Sequence, residues 1–204
     1  MLKKSPLNIN DRVLVIVAHP DDETIWMGGT ILTHPQIDWT ILVLCRASDN
    51  DRAPKFKRIC KELGAKGIIT DLDDEGRYSI EKYIPLIKST VLQATKSKKF
   101  DIIFTHGANG EYGHYAHIAT HRAITQLYSE QKLNSKKLFY FHYKKSRNTP
   151  NQLMQPKTGS SWQITLTQKQ FAQKHRLMTD IYGFSPSGID TNYCTNPEAF
   201  KIYH

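Results

Sequence analysis

Residues 13–23 read Val13-Leu14-Val15-Ile16-Val17-Ala18-His19-Pro20-Asp21-Asp22-Glu23, an apolar run followed by a chain reversal, an imidazole and three carboxylates. An unbroken run of β-branched and leucine side chains suits a strand buried on both faces, the usual condition in a parallel sheet. The proline and the acidic residues then end that strand and open a helix, whose positive end favours carboxylates. Open α/β sheets bind ligands just outside the carboxyl ends of their strands, which is where this turn falls. A neutral imidazole at His19 and a carboxylate at Asp22 can both reach one divalent ion, with Asp21 left free to act on its bound water. Two ligands do not make a zinc site, so the rest of the chain must supply a third.

Outward from this turn, short apolar runs bounded by turn residues alternate with helix-like stretches, the pattern of βαβ units. Strands are expected at 12–17, 40–45, 67–70, 102–105, 138–142 and 163–167, and helices at 22–33, 52–63, 79–95 (bent at Pro85), 114–131 and 166–182. Residues 146–161 read as a long exposed loop, and the tail after Gly183 shows no strong period. The expected fold is a Rossmann-like three-layer α/β/α sandwich with a mostly parallel sheet, one domain over residues 1–204. Gly28-Gly29 lacks the G-x-G-x-x-G frame, which argues against a dinucleotide site.

At 39% hydrophobic and 23% charged residues, the composition is that of a globular protein, and no apolar run approaches the roughly 20 residues that span a bilayer. No signal peptide is evident, and a cytoplasmic location is expected. Cys45, Cys60 and Cys194 are odd in number and widely spaced, against a disulfide framework or a thiolate zinc site. The net charge of +9 raises the question of a nucleic-acid partner, but the basic clusters, such as Lys96-Ser97-Lys98-Lys99, are modest and scattered, so solvated surface is the favoured reading.

The third ligand is sought after a second strand. Ile102 to Thr105 runs into His106-Gly107-Ala108-Asn109-Gly110-Glu111-Tyr112-Gly113-His114-Tyr115-Ala116-His117. In a parallel sheet this loop emerges on the same edge as the first. His114 and His117, at i and i+3, lie on one face of the helix expected there. One of them completes a three-ligand set that leaves a position for water, and the other faces a developing oxyanion. His106 and His121 are weaker candidates. Glu23 is expected to hold a neighbouring loop or ligand by hydrogen bonds, and Glu111 and Tyr112 either to do the same or to touch substrate. His34, His142, His175 and His204 are read as structural.

With these two motifs the chain resembles the LmbE-like or PIG-L family of zinc-dependent N-deacetylases, which includes enzymes that deacetylate N-acetylglucosamine units. The resemblance implies His19 and Asp22 as zinc ligands, Asp21 as general base, His114 as the stabiliser of the tetrahedral intermediate and His117 as the third ligand. Arg52, ahead of Leu63-Gly64, is in register with a substrate-binding arginine of the family. Lys55 stands where many members carry an acidic residue, and the C-terminal His-x-Ser-Gln or Tyr-x-Ser-Gln pattern is not intact, although Lys174, His175 and Tyr182 lie near its place. The implied cofactor is Zn2+ or another divalent metal. The implied partner is an N-acetylated small molecule, an amino sugar above all, and homo-oligomers are common in the family. Two rival readings remain: a metal-containing binding or regulatory protein without turnover, and a hydrolase of an ester or carbamoyl bond.

Overall fold

The structure, a computed structural model, describes residues 5–96, 98–146 and 153–204. The first part of the chain alternates β1 (Arg12–Val17), α1 (Asp22–Leu32), β2 (Asp38–Cys45), α2 (Arg52–Glu62), β3 (Lys66–Leu72), α3 (Ile80–Ala94) and β4 (Phe100–Thr105). There follow a single turn α4 (Gly110–Gly113), α5 (Tyr115–Ser129), β5 (Ser135–Phe141), β6 (Tyr143–Lys145), β7 (Met154–Pro156) and β8 (Trp162–Ile164). The remainder is α6 (Gln168–Arg176), a π-helical turn over Leu177–Ile181, α7 (Ile189–Asn192) and β9 (Glu198–Ile202).

Seven strands form one sheet in the order β3-β2-β1-β4-β5-β9-β8, parallel from β3 to β5 and antiparallel at β9 and β8. Alternation along β1 sends Val13, Val15 and Val17 to one face, with Ile25 of α1 and Phe56 and Ile59 of α2. Leu14 and Ile16 turn to the other, with Ile87 and Val91 of α3 and Ala119, Ala123 and Leu127 of α5. Both faces are therefore covered by helices, and each fully buried aliphatic side chain contributes about 1.5–3 kcal/mol. The order reverses between β1 and β4, so the loops leaving these two neighbours part at the carboxyl edge and open a crevice.

The α/β sandwich and its five parallel strands agree with the sequence expectation. The C-terminal third corrects it. The stretch expected as a long exposed loop carries β7, which pairs with β6 and buries Met154; residues 147–152 lie outside the described residues. The tail expected to lack period supplies β9, inserted between β5 and β8. The last expected strand is shifted to Trp162–Ile164, and the last expected helix divides into α6 and the π turn. α3 runs through Pro85, and Ser79 caps it by accepting from the Lys82 amide.

α1 is kinked at Met27 (φ −151°, ψ 15°), and polar groups from distant elements satisfy the freed backbone. The Tyr143 hydroxyl donates to the Trp26 carbonyl at 2.8 Å, while the Glu198 carboxylate accepts from the Gly29 and Thr30 amides at 2.9 and 2.6 Å. Lys174 Nζ donates to Glu198 Oε1 at 2.7 Å, and both side chains are fully buried. A Cβ on Gly29 would lie 2.2 Å from Leu166 Cδ1, which accounts for glycine at that position without any nucleotide.

Candidate active site

β1 delivers the chain to the carboxyl edge, where the Ala18 carbonyl still accepts from the Cys45 amide at 3.0 Å, and then the backbone turns through Asp21 at φ 129°. Three of the five described non-glycine residues with positive φ, namely Asp21, Arg46 and Glu111, line or brace this region. Such conformations cost about 1–3 kcal/mol each and persist only where the surroundings hold them. Here the Asp21 amide donates to Glu23 Oε2 at 3.1 Å, and Arg52 donates to Asp21 Oδ2 at 2.8 Å. Glu23 also accepts from the Tyr182 hydroxyl at 2.7 Å and from Thr24, the bracing role expected of it. The π turn before Tyr182 thus reaches the site through that hydroxyl.

His19 Nδ1, Asp22 Oδ2 and His117 Nε2 form a triangle whose three sides are each 3.3 Å. Ligand distances of about 2.0–2.2 Å at the tetrahedral angle separate donors by about 3.3–3.6 Å. Two imidazole nitrogens and one carboxylate oxygen at this spacing fit a divalent ion. Three other groupings, His19-His114-His117, His19-Cys45-Asp74 and Asp22-His106-His117, also lie within 4.8 Å and share members with the triangle. His106 has no free nitrogen to offer, because Nε2 accepts from the Ala18 amide at 3.0 Å and Nδ1 lies 2.8 Å from Glu111 Oε2.

The first of those bonds settles the protonation of its neighbours. A backbone amide only donates, so His106 Nε2 is bare and its Nδ1 carries the proton given to Glu111. Glu111 Oε2 lies 2.8 Å from His117 Nδ1 as well, and as an acceptor it takes a second proton there, aiming the other nitrogen, Nε2, at His19 and Asp22. This carboxylate–histidine pairing is the common support of an imidazole ligand. His19 is backed more loosely, with Nε2 3.7 Å from Asp74 Oδ2, and Asp74 is held by Arg46 at 2.7 Å. Asp22 Oδ1, the oxygen outside the triangle, accepts from the Trp26 indole at 3.0 Å.

Burial pushes the Asp21 carboxyl well above the carboxylate range, neighbouring Asp22 adds to this, and Arg52 opposes it. Burial acts the same way on Asp22 and Glu111, but His117 outweighs it at Asp22, holding that carboxyl well below the range, and the hydrogen bonds from His106 and His117 hold Glu111 at about 2. Against its own burial, His117 is pushed up to about 10 by Asp22 and Glu111. Burial, with His117 beside it, brings His114 down to about 4, a neutral ring at neutral pH. His114 is the N-cap of α5 and precedes its helical residues, contrary to the expectation that it begins that helix, yet its ring centroid is 4.6 Å from that of His117. Its Nδ1 is buried without a hydrogen-bond partner.

The mouth is a pocket of about 200 Å³ whose walls include Arg46, Arg52, Asp74, Tyr112, Asp190 and Tyr193. Arg52 lies over the Phe184 ring at 4.6 Å and donates to both Asp21 and the Pro20 carbonyl. All six residues singled out in the sequence, His19, Asp21, Asp22, Arg52, His114 and His117, therefore meet around one crevice. The sequence reading undervalued His106 and Glu111, which are fully and almost fully buried and, through Glu111, fix the orientation of the His117 ring. Trp26 was missed altogether. The one available signal was position, since His106 stands at the carboxyl end of β4.

The family model described as GlcNAc-PI de-N-acetylase, PIG-L, matches residues 14–128, more than half of the chain. The chain belongs to the PIG-L family. The matched segment runs from β1 into α5 and includes both histidine-bearing loops. Among curated relatives, an N-acetylglucosaminyl-phosphatidylinositol de-N-acetylase of Bos taurus is 26% identical over 132 residues, 60% of this chain and 52% of its own. An uncharacterised protein of Acanthamoeba polyphaga mimivirus is 23% identical over 153 residues, 67% of this chain and 64% of its own. The chain thus spans between half and two thirds of the length of these relatives. Among solved structures, a conserved protein of Thermus thermophilus (17% identity) and the pseudoaglycone deacetylase Dbv21 (13%) both superpose with a TM-score of 0.68. They cover 94% and 95% of this chain and 94% and 98% of their own. GalB, a 4-carboxy-2-hydroxymuconate hydratase of Pseudomonas putida, superposes at 0.64 with 13% identity, covering 95% and 96%. These likenesses show that the three solved proteins and this chain share a fold. No helix among the described residues is long and apolar enough to cross a membrane.

Proposed function

We propose that this PIG-L protein is a metal-dependent N-deacetylase that removes the acetyl group from an amino sugar or a related N-acetylated small molecule. The observation that carries the reading is the 3.3 Å triangle of His19, Asp22 and His117 with the Asp21 carboxyl beside it. These three residues would hold a divalent ion, zinc by the chemistry of the donors, which when bound supplies a Lewis acid that polarises a carbonyl and acidifies water. Asp21 takes the proton from the attacking water and hands it to the departing amine, giving acetate and a free amino group. A buried carboxyl set between the charge of Asp22 and that of Arg52 is suited to carrying a proton both ways. The neutral His114 ring donates to the oxygen on which charge develops. Arg52 fixes Asp21 and presents its remaining donors to the substrate.

The family description and the bovine relative support an N-acetylated sugar as the substrate class. So does the aromatic wall, where Tyr112 and Tyr193 stack at 4.7 Å beside the carboxylates of Asp74 and Asp190, a surface suited to a hydroxyl-bearing ring. A cytoplasmic location remains part of the proposal. GalB carries the same fold and is a hydratase, so another bond is the reading to test against. The test is acetate release from a panel of N-acetylated sugars by the zinc-loaded protein. Release that is abolished by a chelator and restored by zinc is the expected result. Absence of acetate across the panel, with metal bound, would contradict the proposal.

A further inference from the structure

The number of oxygens that Asp22 offers decides what kind of ion its site accepts. A carboxylate binding through both oxygens raises the coordination number and suits larger, harder cations, whereas one binding through a single oxygen keeps it low. Oδ2 faces His19 Nδ1 and His117 Nε2 at 3.3 Å while accepting the His19 amide at 2.9 Å, and Oδ1, turned away from both imidazoles, accepts the Trp26 indole N–H at 3.0 Å. We propose that Trp26 is a positioning residue that confines Asp22 to one donor oxygen and so selects a low-coordination ion; this rests on reading His19, Asp22 and His117 as the metal ligands.

The indole nitrogen is a donor only, so it neither ligates a cation nor gives up its hold to accept another bond. Trp26 stands four residues after Asp22 in the first half of α1, the spacing at which helical side chains meet. Its ring is fully buried and fixed among Tyr143, Tyr193 and Tyr112, with centroids 5.3, 6.1 and 6.3 Å away. The backbone is pinned too: the Trp26 carbonyl takes the Tyr143 hydroxyl, and the kink at Met27 follows at once. The indole therefore has no room to swing away when a cation competes for Oδ1. A phenylalanine would fill most of the same space and leave Oδ1 without its donor.

The test compares wild type with Trp26→Phe after metal removal, using cobalt(II) spectra and zinc affinity measured by competition with a chelating dye. Wild type is expected to give the intense visible bands of low-coordinate cobalt. In the variant those bands should weaken severalfold as the second oxygen joins, and zinc affinity should fall by about 10- to 100-fold. Unchanged band intensity and zinc affinity in a folded variant would overturn the proposal. A wild-type protein that binds neither ion would instead overturn the ligand reading on which it rests. Should the variant not fold, the indole N–H resonances of the wild type decide, assigned with Trp39→Phe and Trp162→Phe. Zinc is expected to shift the Trp26 resonance and leave the other two in place, and an unmoved Trp26 resonance counts against the proposal.

Discussion

The amide of Ala18, 3.0 Å from His106 Nε2, leaves that nitrogen no role but acceptor, and from this single bond the proton positions of His106, Glu111 and His117 follow in turn. Glu111 thus serves two imidazoles through one oxygen. Its other oxygen accepts the Gly107 amide at 2.7 Å, so in Glu111→Gln the side-chain amide can no longer accept from all three donors, and metal affinity should fall by about 10- to 100-fold, read by competition titration. Substitution of His19, Asp22 or His117 by Ala should each abolish stoichiometric metal binding, read by metal analysis of the purified variants. Retention of a full equivalent in all three would remove the ligand set. At this scale the hexapeptide from Ala18 to Glu23 was highly legible, because three chemically distinct residues stand within four positions. His106, Glu111 and Trp26 were not, since their roles depend on partners such as the Ala18 amide, 88 positions before His106, or on the burial of a ring whose sequence shows only an apolar helix position.

α1 is an element whose broken backbone is completed by other elements. Glu198 of β9 accepts the Gly29 and Thr30 amides and pairs with Lys174 of α6, all out of water. Removing one partner of a buried ion pair leaves the other charge uncompensated, so Glu198→Gln should cost about 3–5 kcal/mol in urea unfolding. At the opposite edge Asp101 ties three strands, accepting from the Arg12 amide of β1 at 2.9 Å and pairing with Lys136 of β5 at 2.8 Å. Lys136, then the Arg12 amide, hold its carboxyl below the ordinary value, so its contribution is complete above the unfolded pKa of about 3.9 and disappears as pH falls through the lower folded value. Asp101→Asn should accordingly be less stable than wild type at pH 7, with the gap closing under strongly acidic conditions, as followed by thermal unfolding across pH. The parallel elements were readable because their strands are continuous apolar runs. β6, β7 and β8 are three residues each and mix polar with apolar positions, so period-two alternation has too few residues to register. The kink in α1 has no proline, and its local mark is the Gly28-Gly29 pair that follows Met27.

For the whole molecule, the reversal of strand order between β1 and β4 brings together two loops nearly a hundred residues apart, and every residue proposed for the chemistry sits at or beside that crevice. The rule that parallel strands share an edge placed both loops on one side of the sheet but not the reversal itself; β9 and β8, which extend the sheet antiparallel, depend on long-range pairing that composition does not reveal. The fold is shared by a deacetylase and a hydratase, so architecture narrows the reaction less than the site does. Within the site, the division of labour between ligand and proton carrier is the central claim, and one comparison addresses it: acetate release from an N-acetylated amino sugar by zinc-loaded wild type and by zinc-loaded Asp21→Asn, with metal content measured on the same samples. The account predicts one ion per chain in both and a rate lower by about 10²- to 10⁴-fold in the variant. Equal rates at equal metal content would contradict it.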